Sequence, residues 1–245
     1  TLDVYTWKVA DMPAFEEENR APNFSYFLPH IVYYIKSYTK ENKKEELFPD
    51  VQHLYNWYYS LVKDVNKLDK EPLKNKALEL VKNKTTAKEK AKAIYNWVQQ
   101  NVHYVAFEYE MGGFIPRDAA AVFDKKYGDC KDISNLLNEM FKTVGIESNL
   151  VWIGTRDKSY SFEAVPTPLV SNHMIAAVKI DNQRYFVDGT DSFCPFTLPS
   201  SMIQGKEALI GISENEFIIE KVPVVDKKEN RLKVDMKLKI EDNAV

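Results

Sequence analysis

The sequence predicts an α+β fold in which a helix that opens at a cysteine packs against an antiparallel sheet, with partial β-rich flanks around this core. Three observations predict it. Ile133, Leu136, Leu137, Met140, Phe141 and Val144 recur at the i, i+3, i+4, i+7 spacing of one helical face, starting from Asp129 or Cys130 and stopping before Gly145. β-Rich segments follow at residues 148–155, 173–180 and 183–188, the last two joined by Asp181-Asn182, which suits a two-residue hairpin turn. The 245 residues, 44% hydrophobic and 28% charged, suffice for one substantial core with smaller attachments.

In chain order, residues 1–45 read as a β-rich arm or the end of a preceding β domain. Short β-rich stretches at 2–9 and 31–38 lie there among Pro13, Pro22 and Pro29. The core, residues 46–215, opens with a helix capped by Asp50 and carrying Val51, Leu54, Tyr55, Tyr58, Leu61, Val62, Val65 and Leu68 at helical spacing. A second short helix follows Pro72. Thr86 and Glu89 form a capping box, and the helix behind it presents Ala91, Ile94, Val98 and Val102 as one stripe up to about Asn101. A β-rich run at 102–109 then enters residues 111–116, where Gly112, Gly113 and Pro116 force a change of direction. Beyond the three β-rich segments, residues 217–225 and 231–240 read as further strands, so that 216–245 is the expected start of a C-terminal β domain.

Composition narrows the function classes. A formal net charge of −3, with Lys and Glu interspersed, gives no basic field for a polyanion, which argues against nucleic acid as a partner. No apolar run approaches the ~20 residues of a membrane span, and the first residues lack the layout of a signal peptide. A chain that begins at Thr1 rather than Met reads as a mature or truncated product. Cys130 and Cys194 are too few for a disulfide framework, although one bridge between them is possible in principle.

Cys130 is the candidate nucleophile. A helix N-terminus offers unpaired N–H groups and a partial positive charge, which favour a thiolate over a thiol. Lys131 adds to that field, Asp129 and Asp132 oppose it if their carboxylates face the sulfur, and the Cys130 backbone N–H is available as an oxyanion donor. The bland alternative is a small buried hydrophobe, because free cysteines are commonly buried. Cys194, next to Pro195, reads as structural.

The candidate base and its orienting acid come from the hairpin. With Asp181-Asn182 as its loop, Ile180 pairs with Gln183, and His173 and Asp188 become diagonal neighbours on one face, their β-carbons within about 7–8 Å. A three-residue loop would send them to opposite faces. Asp188 can then fix the tautomer of His173 and leave its other nitrogen to face the sulfur. His103, which also opens a β-rich segment, is the competing base, whereas His30 and His53 read as structural. Tyr104 and the Gly112-Gly113 backbone are the candidates for a second oxyanion donor.

These residues resemble the transglutaminase-like superfamily, a branch of the papain-like cysteine enzymes. The resemblance rests on Tyr127-Gly128-Asp129-Cys130-Lys131-Asp132, the helix ending at Gly145-Ile146, Asn172-His173 at a strand start, and Tyr185-Phe186-Val187-Asp188-Gly189-Thr190. Pro116-Arg117, Cys194-Pro195-Phe196, Leu198-Pro199 and Gln204-Gly205 are similar to the bacterial putative-protease branch. It covers roughly residues 73–211 and implies the roles of nucleophile, base and orienter for Cys130, His173 and Asp188. It also implies a fragment of a longer, exported, periplasmic or extracellular protein with flanking β domains.

The animal cross-linking members carry a Trp after the nucleophile where this chain has Lys131, and no segment has the spacing of an EF-hand, so hydrolysis of amide bonds is favoured over protein cross-linking. The expectation is therefore a cysteine-nucleophile acyl-transfer enzyme acting on protein or peptide substrates, without cofactor or metal. Two other readings stand beside it. One is a non-catalytic binding or scaffold module that keeps the triad but holds a partner protein or polysaccharide on aromatic surfaces, which a composition of 14 Tyr and 13 Phe permits. The other is a metal site built from Cys130, His173 and Asp188, with His103 as a further candidate ligand, for which short-range ligand spacing is missing.

Overall fold

The structure is a computed structural model that describes residues 3–12, 14, 19, 21–106, 108–229 and 233–239. Its elements are a hairpin of β1 (Ser37–Lys40) and β2 (Lys43–Glu46), then α1 (Val51–Val62), α2 (Glu71–Val81), α3 (Ala87–Asn101), β3 (His103–Tyr104), α4 (Ala119–Lys125), β4 (Tyr127–Gly128), α5 (Cys130–Thr143), β5 (Glu147–Ile153), β6 (His173–Ile180), β7 (Gln183–Val187), β8 (Glu207–Ser213) and β9 (Glu216–Lys221). The fold is α+β, as expected, with a five-stranded antiparallel sheet ordered β7-β6-β5-β8-β9.

The helix starts follow their caps. Asp50 accepts from the His53 backbone N–H ahead of α1, and Thr86 and Glu89 close a reciprocal capping box on α3. Gly145 sits at φ +76° immediately after α5, the left-handed conformation that ends a helix without a Cβ clash. Helix α5 buries Ile133, Leu136, Leu137, Met140 and Phe141 against α2, α3 and the Ala176–Val178–Ile180 face of β6. Tyr55 and Tyr58 of α1 join Trp152, Met174 and Leu209 in an adjoining cluster on the same side of the sheet. The opposite face, with Val151, Ile153, Ile175, Ala177 and Ile210, is covered by Ile203 and Val222. Strand β6 is thus buried on both faces, which is why it reads as a nearly continuous apolar run.

Several sequence expectations need correction. Residues 3–9 form no strand, the 31–38 stretch joins a strand only from Ser37, and Leu2 and Pro13 lie outside the described residues. Among the described residues of the 102–109 run, only His103 and Tyr104 form a strand, paired in parallel with Tyr127 and Gly128, and Phe107 lies outside the described residues. The strand expected at 217–225 spans Glu216–Lys221 and pairs with β8 as an edge of the central sheet. Residues 233–239 contain no strand, and the rest of the expected 231–240 segment lies outside the described residues.

Candidate active site

Helix α5 begins at Cys130 because Asp129 and Asp132 cap one another: Asp132 N–H donates to Asp129 Oδ1 at 3.3 Å, and Asp129 N–H donates to Asp132 Oδ2 at 3.1 Å. Two buried carboxylates at one helix end need cations. Lys131 supplies one through its ion pair with Asp129. Arg117 supplies the other, its backbone N–H reaching Asp132 Oδ1 at 2.7 Å while Nε and Nη2 reach Oδ2 at 2.9 and 2.8 Å. Burial pushes the Asp129 carboxyl up, against the Lys131 ammonium that pulls it down. Neither carboxylate lines the cleft that holds Cys130. The charge of Lys131, expected to reinforce the field at the sulfur, is balanced locally by Asp129. Gly128 is required here, since a Cβ would lie 2.6 Å from Asp132 Cβ.

The hairpin forms in the expected register. Asp181 and Asn182 take φ +50° and +61°, Ile180 pairs with Gln183, and the ladder runs to the Ala176–Val187 pair. His173 also pairs with Ile153 of β5, so its backbone is held from the other side. The side chains of His173 and Asp188 are 7% and 1% exposed, and His173 Nε2 lies 3.0 Å from Asp188 Oδ2. Asp188 is held in turn by the Thr190 N–H at 3.1 Å and Thr190 hydroxyl at 2.6 Å, both on Oδ1, and by the Ser200 hydroxyl at 2.7 Å on Oδ2. Gly189 lets this corner press onto α5: a Cβ there would lie 2.7 Å from Ile133 Cγ2 and 2.9 Å from Leu137 Cδ1.

The electrostatics follow from this packing. Burial disfavours charge on His173, but its bond to Asp188 and its interaction with the Cys130 sulfur prevail and push it up to about 10. Burial likewise opposes charge on Asp188, yet His173, Thr190 and Ser200 hold its carboxyl below the usual range. An imidazolium–carboxylate pair is thus the favoured state at neutral pH, with Nδ1 left to face Cys130.

Cys130 and His173 line one cleft of about 180 Å³ whose walls include Tyr58, Trp152, Phe114 and Glu108. Tyr58 and Trp152 stack with ring centroids 4.9 Å apart and 14° between planes, and the Tyr58 hydroxyl bonds Ser171 Oγ. Of the candidates for a second oxyanion donor, Gly113 lines the cleft. The Tyr104 phenol is pushed up to about 12, first by burial and then by negative charge at Cys130 and Glu108.

The structure therefore brings Cys130, His173 and Asp188 together and leaves the other candidates apart. His103 is exposed beside Tyr127 in the short parallel pair and is not in the cleft. His30 bonds the Leu28 carbonyl and Tyr160, and His53 bonds Asp50. Both cysteines are free, so the conceivable Cys130–Cys194 bridge is not formed. Burial and the Asp191 and Asp188 carboxylates push the Cys194 thiol up to about 12, which makes it a poor nucleophile. Among the described residues no group of three His, Cys, Asp or Glu side chains could hold a metal, and no helix is long and apolar enough to cross a membrane. Sequence reasoning missed Ser200 and the Tyr58–Trp152 wall. Neither leaves a local signal, because each meets the site through long-range packing.

Fold and cleft together define a mixed α/β protein with a curled antiparallel sheet and a helix-borne cysteine. Residues 74–188 match the model of the transglutaminase-like superfamily. Among solved structures the chain is similar to "a putative protease" from Parabacteroides distasonis, with TM-score 0.55 and 15% identity over 80% of this chain and 36% of that one. It also matches "a putative cysteine protease" from Cytophaga hutchinsonii, with TM-score 0.39 and 18% identity over 51% and 39% of the two chains. A third match is "a TGase", with TM-score 0.38 and 18% identity over 64% and 42%. The chain spans little more than a third of the length of the first of these structures. No curated protein matches it.

Proposed function

We propose that the protein is a cysteine-nucleophile acyl-transfer enzyme acting on amide bonds of peptide or protein substrates, as a peptidase or amidase rather than a cross-linker. The observation that carries this reading is the buried His173–Asp188 pair, 3.0 Å apart, opening onto the same cleft as Cys130 at the start of α5. In this scheme Asp188 orients His173 and stabilises its charged form, and the imidazolium in turn supports a Cys130 thiolate. The sulfur attacks the amide carbonyl carbon, the C–O π pair moves onto oxygen, and the Cys130 backbone N–H donates to that oxyanion. Collapse breaks the C–N bond, and His173 gives its proton to the departing amine. Water, deprotonated by His173, then attacks the thioester and releases the carboxylate and Cys130. Hydrolysis is favoured over amine transfer because Lys131, where the cross-linking members carry Trp, is turned to Asp129 and adds no aromatic wall.

The test has two parts. Iodoacetamide alkylation of the wild type and of Cys130→Ala, followed across pH, should show one fast site at residue 130 that His173→Ala slows. A quenched-peptide library should then reveal turnover that Cys130→Ala abolishes. Fast alkylation without turnover of any peptide would favour the non-catalytic binding module, and slow alkylation indistinguishable from a free thiol would remove the nucleophile itself.

A further inference from the structure

A second cleft, of about 310 Å³, lies where the C-terminal half of α5 meets α1, β5 and β8. Its size falls at the lower end of small-molecule sites. It contains neither Cys130 nor His173, and Trp152 is the side chain it shares with the catalytic cleft. Two polar side chains in its lining, Asn138 and Ser148, are each only 4% exposed, and Asn138 Oδ1 and Ser148 Oγ have no hydrogen-bond partner. Orphaned buried polar atoms are uncommon in folded proteins, because each loses its bonds to water and gains nothing in return. Two at one cleft point to an occupant. Asn138 Oδ1 can only accept, so the occupant must bring a donor, and Ser148 can serve either way.

The charges of the lining set the second requirement. Lys63, Lys70 and Lys142 face a single acid, Glu139, which Lys70 contacts at 2.6 Å and Lys142 at 3.9 Å. Lys63 has no ion-pair partner among the described residues. The cleft therefore carries an excess of positive charge in a protein whose net charge is −3. We propose that it is a second, non-catalytic binding site for a small carboxylate that also bears hydroxyl or amino donors, its acid group on Lys63 and its donors on Asn138 and Ser148. This site is independent of whether Cys130 is catalytic.

The experiment is calorimetric titration of the full chain, before and after iodoacetamide blocks Cys130, with gluconate, L-glutamate, acetate and sorbitol as probes. Gluconate or glutamate should bind one to one in about the millimolar range or tighter, with acetate and sorbitol at least about tenfold weaker. Blocking Cys130 should leave that affinity unchanged. Lys63→Ala and Asn138→Leu should each weaken binding by about tenfold or more, while Asn138→Leu melts no lower than the wild type, because it removes an orphaned acceptor rather than a bond. If Asn138→Leu does not fold, Ser148→Ala makes the same test with a smaller change. Absence of saturation by both donor-bearing carboxylates overturns the proposal and leaves a water-filled cleft. Equal binding of sorbitol, loss of binding on alkylation, or unchanged affinity in the cleft variants overturns it as well.

Discussion

Replacing Asp188 by asparagine tests the pairing at the centre of the proposed site with almost no change of volume. The carboxylate accepts four bonds: His173 and Ser200 on Oδ2, and the Thr190 N–H and hydroxyl on Oδ1. In Asp188→Asn the new amide can keep its oxygen toward Thr190, whose backbone N–H cannot be turned away. Its NH₂ must then face Ser200 and His173. Ser200 rotates to accept, and His173 Nε2 has to give up its proton to accept as well. The remaining proton then stays on Nδ1 of a neutral imidazole, so the ring no longer forms the imidazolium that supports the Cys130 thiolate, and its Nδ1 cannot take a proton from the thiol.

Folding should suffer little, on the order of 1–2 kcal/mol, because every donor still finds a partner while charge-assisted bonds become neutral ones. Turnover should fall on the order of 10²–10⁴-fold, the contribution of a positioned general base. The assay is kcat/KM on the best library peptide, paired with a melting curve and the pH profile of Cys130 alkylation. The bond between His173 and Asp188, which counters the effect of burial, is lost, so the imidazole should titrate well below its wild-type value of about 10. Wild-type turnover and an unchanged alkylation profile in Asp188→Asn would refute the reasoning.

Three further outcomes follow from the same geometry. The folded pKa of His173 is raised, so its contribution to stability is complete below pH 6.5 and is lost as pH rises through about 10; that of Asp188 is lowered, so its contribution is complete above about 3.8 and is lost as pH falls through the lower folded value. The melting-temperature difference between wild type and His173→Gln should therefore be greatest between roughly pH 4 and 6.5 and shrink toward pH 10. Ser200→Ala removes one charge-assisted bond from Asp188 and should cost about 1.5–3 kcal/mol by denaturant titration, with a lowered alkylation optimum, since Asp188 loses one of its constraints. Gly189→Ala drives a methyl into Ile133 and Leu137 and should cost about 1–3 kcal/mol; a variant as stable as wild type would mean the corner is not pressed on α5.

What was legible in the sequence was local or periodic. The stripe from Ile133 to Phe141 defines α5, and Asp181-Asn182 defines a turn whose positive φ values fix the register that sets His173 beside Asp188. Helix α4 escaped notice although Asp118 caps it and Ala119-Ala120-Ala121 opens it, because seven residues are fewer than two full turns and show no complete apolar period. Strand β8 was missed because residues 207–213 lack polar alternation, its apolar run serving two faces of a buried strand. The approach of Ser200 to Asp188, twelve residues away through a loop, depends on how that loop folds back, which neither propensity nor spacing encodes. Arg117 was noticed only as part of a motif. Its purpose, holding the buried Asp132 at the start of α5, becomes visible only when the two segments meet.

Trp152 lines both the cleft that holds Cys130 and the lysine-lined one, its ring fixed by stacking on Tyr58 and by an edge contact with Tyr55, 6.2 Å between centroids. A shared wall made of a single indole cannot be reshaped for one chamber alone. A smaller residue at 152 would widen both rooms at once, so the shape of each is tied to the same side chain. Variation that tunes the two independently is confined to the walls they do not share, Phe114 and Glu108 for the first and Lys63 and Asn138 for the second.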